Sequence, residues 1–566
     1  MNAAIVRTLG ALVCALSPVL VLAQGAAVPT QAEIIVTNAR IYTVDEARPL
    51  AEAMAIAKGR IVFVGSAREA AALRGPRTRV VDMTGRTVIP GMTDAHAHLS
   101  GLGKVLREVD LVGTTSYADV IARVVEKART SPKGTWILGR GWDQNDWGET
   151  TLPTHGALSQ AVPDHPVLLQ RVDGHASLAN AAAMRLAGVT ARTVAPSGGR
   201  IEKDSTGEPT GVFVDDAEAL IEAKVPAPTS ADSRTWAIAA IEEAQRWGLT
   251  GVHEMGVGRE TIEVYEQLAR EGRFGLRNYV YVSGDSSNVA WALARGPRIA
   301  QFDGRLWVRG FKLYADGALG SRGAALLSPY ADEPHNLGLT RMSPDYVQSV
   351  AERSLRGGFQ MATHAIGDRA NRQVLDAYEA ALRTVPVADH RFRIEHAQII
   401  HHQDIPRFAQ LGVIPSMQAS HQTSDMYWVA NRLGTERLRG AYAWRSLLQS
   451  GAIIPNGSDF PVELVNPLIS FHAAIARQDA DDFPVGGWYS EQRMTRDEAL
   501  RSMTLWPAMA AFQERELGSL TAGKHADFVV LDQDIMRVPV ELVLRTKVLQ
   551  TWLGGTVVYD AAVPRR

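Results

Sequence analysis

Short apolar runs alternate with amphipathic stretches through the middle of the chain, the texture of a parallel α/β fold. Seven runs read as strands: Gly251 to Glu254, Asn278 to Val282, Val308 to Leu313, Gln360 to His364, Phe392 to His396, Val413 to Met417 and Ile453 to Ser458. An eighth ends at His96, after Thr87-Val88-Ile89-Pro90-Gly91. Between them, Val374, Ala377, Tyr378, Ala381 and Leu382 follow the one-sided stripe of a helix packed on a core. Eight β/α units predict a TIM-like barrel, whose functional residues sit at the C-terminal ends of the strands.

The two chain ends have a different texture. Ile34 to Val36, Ile61 to Val64 and Val80 to Val81 near the start match Phe528 to Leu531 and a hairpin, Val548 to Leu553 with Thr556 to Tyr559, near the end. These predict one small β-sandwich domain built from residues 32–87 and 515–562, around a barrel domain over 88–514. From His98 to His253 there are 155 positions, whereas one β/α repeat needs roughly 30. An insertion lobe at about 103–226, after the first barrel strand, accounts for the excess.

Composition fits a large soluble enzyme: 566 residues, 46% hydrophobic, 21% charged, net charge −2. Such a balance gives no argument for nucleic acid as a partner and leaves a homo-oligomer open. Residues 1–23 carry Arg7, an apolar stretch from Leu9 to Leu22 and Ala23 before Gln24, the layout of a cleaved secretory signal. That implies a secreted, periplasmic protein with no stable membrane association after cleavage; an uncleaved anchor is the alternative. The single cysteine, Cys14, lies inside this segment. Thiolate metal sites and cysteine nucleophiles are thereby excluded from the mature chain.

Candidate chemistry begins at Asp94-Ala-His96-Ala-His98. Strand residues two apart share a face, so the two imidazoles would stand side by side, a way to grip a divalent cation. Alone the pair is weak. But Lys312, His364, His396 and Asp459 each end a later predicted strand, and independent surface or core residues would not fall in that order.

The order His-x-His, Lys, His, His, Asp resembles the amidohydrolase superfamily, and the words around it are similar to amidohydrolase family 3, the YtcJ-like metal-dependent hydrolases. Gly518-Ser-Leu-Thr-Ala-Gly-Lys-His-Ala-Asp527-Phe is similar to that superfamily's returning β segment, and the resemblance runs from about Ala32 to Tyr559. It implies that His96, His98 and Asp459 bind the more buried of one or two divalent cations. His364 and His396 would bind the second, and Lys312, once carboxylated, would bridge them. The donor types suit zinc first, with manganese, iron or cobalt as competitors. Coordination lowers the pKa of water from about 15.7 to about 7, so Asp459 is expected to act as general base and then acid in a hydrolysis without a covalent intermediate.

Two words of the insertion, Gly139-Arg-Gly-Trp142-Asp143-Gln-Asn-Asp-Trp147 and Arg171-Val-Asp-Gly-His175-Ala, also look like segments of that branch. Trp142, Asp143 and His175 are substrate-binding candidates; a Trp cluster stabilising the lobe, with His175 bonded in a turn, is the alternative. Asp316 could orient a ligand and Arg322 could bind a substrate carboxylate, or both could form a surface salt bridge. His253-Glu254 is expected to sit behind the ligands, and His401, His402, His421 and His472 have no assignment.

The expected activity is hydrolysis of a C–N bond of a small amide, N-acyl or N-formyl. Deamination of a cyclic amidine is a rival, although superfamily deaminases carry an acid three residues after the strand-five histidine, where this chain has Gly367 and the carboxylate follows at Asp368. Ester or lactone hydrolysis is a second rival. A non-catalytic binding or regulatory protein on the same fold is the third.

Overall fold

A computed structural model describes residues 31–563 except 148–150, 172–175, 197–198, 216 and 321. The expected signal and His175 lie outside the described residues. Among the described residues, no helix is long and apolar enough to cross a membrane.

Seven parallel strands form the centre of the molecule: β1 (Met92–Ala97), β2 (Leu249–Val257), β3 (Arg277–Ser283), β4 (Leu306–Tyr314), β5 (Gln360–Ala365), β6 (Arg393–His396) and β7 (Ile414–Ser416), each paired with the next in chain order. The predicted eighth strand, 453–458, is irregular. It still bridges β7 and β1, because Met417 N–H donates to Pro455 O (3.0 Å) on one side while Ala95 N–H donates to Asn456 O (3.2 Å) and Asp459 N–H to His96 O (2.8 Å) on the other. Pro455 has no amide to give a ladder. Gly457 passes so near β1 that a Cβ there would fall 2.4 Å from His96 N. The fold is therefore a nearly closed, TIM-like barrel whose last position is held by scattered hydrogen bonds.

The predicted helical stripe forms helix Asp368–Thr384, with Val374, Ala377, Tyr378 and Ala381 buried. Tyr378 does more than pack. Its hydroxyl bonds Thr363 Oγ1 on β5 (2.7 Å) and Arg393 O on β6 (3.1 Å), which fixes two site-bearing strands beside one another.

Strands from both chain ends form two sheets. One orders Arg60–Gly65, Ala53–Ala57, Ala32–Thr37 and Arg74–Asp82; the other places Phe528–Leu531 between Val548–Leu553 and Thr87–Pro90. Val36, Ile56, Val88, Phe528 and Trp552 share one core between the sheets. The predicted hairpin turns on Gly554 and Gly555, both at positive φ (58° and 73°), as a two-residue type I′ turn demands. Between β1 and β2 the chain builds a separate six-stranded sheet, from Val109–Asp110 to Pro209–Asp215. Helix Ser230–Arg246 then returns it to the barrel, burying Ala237, Ala240, Ile241 and Ala244.

Candidate metal centre

At the C-terminal end of β1, His96 is fully buried and its Nδ1 lies 2.7 Å from Glu395 Oε2. A carboxylate at Nδ1 holds the ring proton there and leaves Nε2 free to accept. Glu395 is itself fixed by Arg393, whose Nε donates to Oε1 (2.7 Å) and whose Nη2 donates to Oε2 (2.9 Å). Arg393 also reaches Ala95 O and Ser416 Oγ, both at 2.6 Å, so one buried guanidinium ties β6 to β1 and β7. Strand alternation puts Arg393 and Glu395 on one face. The left-handed backbone of His396 (φ 73°) then ends β6 and breaks the alternation.

His96 Nε2 faces Asp459 Oδ1 at 3.4 Å and Lys312 Nζ at 3.2 Å. His98 lies just past the strand, at the start of helix Leu99–Val105, with Nε2 3.0 Å from the same Asp459 oxygen. Glu254 braces this turn by accepting from Leu99 N–H at 3.0 Å; burial pushes its carboxyl up to about 7. Asp94 braces the other side, accepting from His96 N–H (3.0 Å) and Ser458 Oγ (2.6 Å) and so joining β1 to the irregular eighth segment. Burial pushes its carboxyl up to about 7 as well.

His396 lies between His96 and His364, its ring centroid 4.7 and 4.6 Å from theirs, and its Nδ1 is 2.8 Å from Gln418 Oε1. His421 stacks on His396 at 5.8 Å and brings Nε2 to 3.9 Å from Asp459 Oδ2. Asp459 is therefore shared by two sets of converging donors: His96, His98 and Asp459; His396, His421 and Asp459. Its φ of 60° is unusual for a residue with a side chain and marks a conformation the surroundings impose.

Electrostatics follow from burial. His96 and His396 fall well below the ordinary histidine range, first because burial disfavours the cation and then because Lys312 or neighbouring imidazoles oppose it. Neutral imidazole is the ligating form. Burial lowers Lys312 to about 8, against Glu395 and Asp459, which favour its charge. Burial alone would raise Asp459, but His96, His98 and His396 outweigh it and keep the carboxyl well below its usual range.

These residues suit a cation on their own evidence. His364 Nε2 and His421 Nε2 are buried without a hydrogen-bond partner, and Asp459 Oδ1 meets imidazole nitrogens, His98 Nε2 at 3.0 Å and His96 Nε2 at 3.4 Å, an inventory of donors that a cation would satisfy. His96, His98, Lys312, His364, His396 and Asp459 all line one cavity of about 370 Å³. A larger cavity of about 780 Å³ opens beside Asp368, His401 and His402, and none of the six reaches it.

Other predicted contacts are not brought there. Trp142 is fully buried in the lobe's own core, donates from Nε1 to Leu169 O (2.7 Å) and does not line the cavity. Asp143 pairs with Arg171 at 2.6 Å within the lobe. Arg322 meets Asp332 (Nη2 to Oδ2, 2.9 Å) and Glu333 (3.2 Å), the salt-bridge alternative, and does not line the cavity. Asp316 is buried behind the wall. It accepts from the amides of Ala325 (2.8 Å), Ile366 (3.0 Å) and Gly367 (2.8 Å), lies 3.4 Å from His364 Nε2 without a hydrogen bond to it, and does not line the cavity. His364 is the one expected histidine outside both donor sets; His421, unassigned by sequence, occupies the second set instead.

Residues 79–559 match the profile of the Amidohydrolase family. Protein LONG AFTER FAR-RED 3 of Arabidopsis thaliana is 34% identical over 93% of this chain and 92% of its own length. The putative amidohydrolase YtcJ of Bacillus subtilis is 32% identical over 92% and 98%, and the N-substituted formamide deformylase of Arthrobacter pascens is 30% identical over 93% and 98%. Among solved structures, an uncharacterized metal-dependent hydrolase from Pyrococcus furiosus superposes with a TM-score of 0.73 at 30% identity, covering 89% of this chain and all of that one. A barrel whose strand ends gather four imidazoles, a lysine and a shared aspartate around buried, unpaired ligand atoms agrees with these matches, and the chain belongs to the amidohydrolase family of metal-dependent hydrolases.

Proposed function

We propose that the protein hydrolyses the C–N bond of a small amide, N-acyl or N-formyl. The observation that carries this reading is the position of Asp459, shared by two sets of converging donors. The deformylase relative supports the choice of bond. His96, His98 and Asp459 would hold one divalent cation, zinc first among candidates; His396, with His364 or His421, would hold a second, and Lys312 would bridge them once carboxylated. When bound, such a cation polarises the substrate carbonyl and makes water a stronger acid.

The side chains supply the rest. Asp459, whose carboxyl lies well below its usual range, takes the proton of the attacking water on a carboxylate oxygen and delivers it to the leaving nitrogen. Glu395 keeps the His96 proton on Nδ1. Burial lowers the Lys312 amine, which favours the neutral form that reacts with CO₂. Deamination has less support: Asp368, the carboxylate after β5, accepts from Leu327 N–H (2.8 Å) and Arg369 N–H (2.9 Å) and lines the other cavity. We place the enzyme among exported proteins on its N-terminal sequence.

The test is hydrolysis of a panel of formamides, acetamides, esters and cyclic amidines by the metal-loaded protein. Amide turnover that disappears in Asp459→Asn supports the reading. Turnover confined to amidines or esters, or undiminished in Asp459→Asn, contradicts it.

A further inference from the structure

Around the metal centre the cavity has two unlike parts. Its floor is the imidazole and carboxylate cluster. Its outer wall is apolar and aromatic: Tyr314, Leu319, Ile366, Trp428 and Val462. The Trp428 ring packs against the chain at Gly320, where a Cβ would meet two ring carbons at 3.3 Å, and the Arg432 guanidinium lies 5.7 Å from its centroid. Val462 is 69% exposed at the mouth. A shelf of this kind matches the face of an aromatic or alicyclic group.

Charge is equally uneven. Apart from the imidazole and carboxylate cluster, the charged side chains lining the cavity are two acids, Asp425 and Glu463, and one cation among the described residues, Lys312. Glu463 Oε1 accepts from Ser424 Oγ (2.7 Å), and Asp425 Oδ2 accepts from Gln398 Nε2 (2.9 Å) and the Tyr442 hydroxyl, so neither acid has a cation as its hydrogen-bond partner in these contacts. The arginines behind the wall are engaged or outside it. Asp332 takes both Arg322 and Arg432, and Arg432 Nε also donates to Gly320 O (3.2 Å). Arg341 is exposed, its guanidinium 5.6 Å from the Tyr314 ring.

Building on the amide-hydrolase reading, we infer that the substrates are amides whose non-reacting end is an apolar, ring-sized group, neutral or cationic, laid on Trp428, and that an anionic group at that end is rejected by Glu463 and Asp425. Rejection by unpaired like charge is an effective source of specificity, because it raises the cost of the wrong ligand without weakening the right one. The class this disfavours is the N-acyl amino acids and other carboxylate-bearing amides.

Three probes test it with the metal-loaded protein: N-(2-phenylethyl)formamide and its para-carboxylate and para-aminomethyl analogues, which carry charge far from the reacting bond. The neutral and cationic compounds are expected to exceed the carboxylate in kcat/KM by on the order of 10-fold, the size of a like-charge penalty across several ångströms at a partly wet site. Glu463→Gln should narrow that gap, and Trp428→Ala should raise KM for the ring compounds more than for N-methylformamide. A carboxylate analogue processed as well as the neutral one, or a gap unchanged in Glu463→Gln, overturns the inference. So does a carboxylate preference that disappears in Arg341→Ala. If none of the three is hydrolysed, the amide reading fails, yet calorimetric binding of the same compounds still ranks them and decides the charge question.

Discussion

Two clusters of buried charge sit at opposite ends of the barrel strands, and they are built differently. Where the barrel meets the β-sandwich, Arg277 at the start of β3 grips Asp527 with Nε and Nη2 (2.9 Å to Oδ1) and donates from Nη1 to Asp303 O (3.0 Å), while Gly554 N–H completes the carboxylate (2.7 Å). At the other end, Arg393, Glu395 and His96 are bonded just as tightly, but the chain of contacts finishes in partnerless nitrogens on His364 and His421 and in Asp459, which faces imidazoles. Buried polar atoms without a partner also occur beside the first cluster, on Arg305 and Gln513, so what sets the second apart is that, among the described residues, imidazoles and a carboxylate converge there on one another. The first cluster joins two parts of the fold; the second has the makings of a site.

Mutation should separate the two. Asp459→Asn keeps the shape and removes the charge, and kcat/KM should fall by about 10² to 10⁴, the span of general acid–base catalysis, with little change in thermal unfolding. Asp527→Ala should do the reverse: stranding Arg277 costs about 3–5 kcal/mol in denaturant unfolding, while the folded fraction keeps its kcat and its metal content. Glu395→Gln tests the support beneath the site. By analogy with other carboxylates behind a ligating histidine, metal affinity in a chelator competition should drop about 10- to 100-fold. Trp142→Phe is the smallest. Losing the bond to Leu169 O should cost about 1 kcal/mol of stability and leave kcat/KM unchanged; a loss of turnover instead would return the lobe tryptophan to the substrate path.

The same contrast explains how much was legible in the chain. The barrel strands and the ends of the sandwich are readable because apolar periodicity reports directly which face is buried. The His-x-His pair, Lys312, His364, His396 and Asp459 are readable because each ends such a strand, and all six line one cavity. His421 was not, since it follows β7 inside the short helix Ala419–Asp425, where no strand end marks it. Glu395 and Arg393 stood next to His396, but their pairing with His96 joins residues 299 positions apart and has no local pattern. Arg322 shows the opposite limit. Its residue type and nearness to Lys312 suggested a carboxylate receptor or a salt bridge, while its acidic partners, Asp332 and Glu333, lie ten and eleven residues on and are identified only when the loop folds back. The eighth strand failed on backbone chemistry, with proline and glycine where a ladder needed amides and side chains.

The most direct measurement is metal content per folded chain, by elemental analysis, in the wild-type protein and in His96→Ala, Asp459→Asn and Asp527→Ala, each assayed in parallel for amide hydrolysis. The account predicts one or two divalent ions in the wild type and in the folded fraction of Asp527→Ala, and loss of metal and turnover together in His96→Ala. Asp459→Asn should lose turnover whether or not its metal content falls. A wild-type protein that stays metal-free after incubation with zinc, manganese or cobalt, or a His96→Ala variant that hydrolyses amides at the wild-type rate, would contradict it.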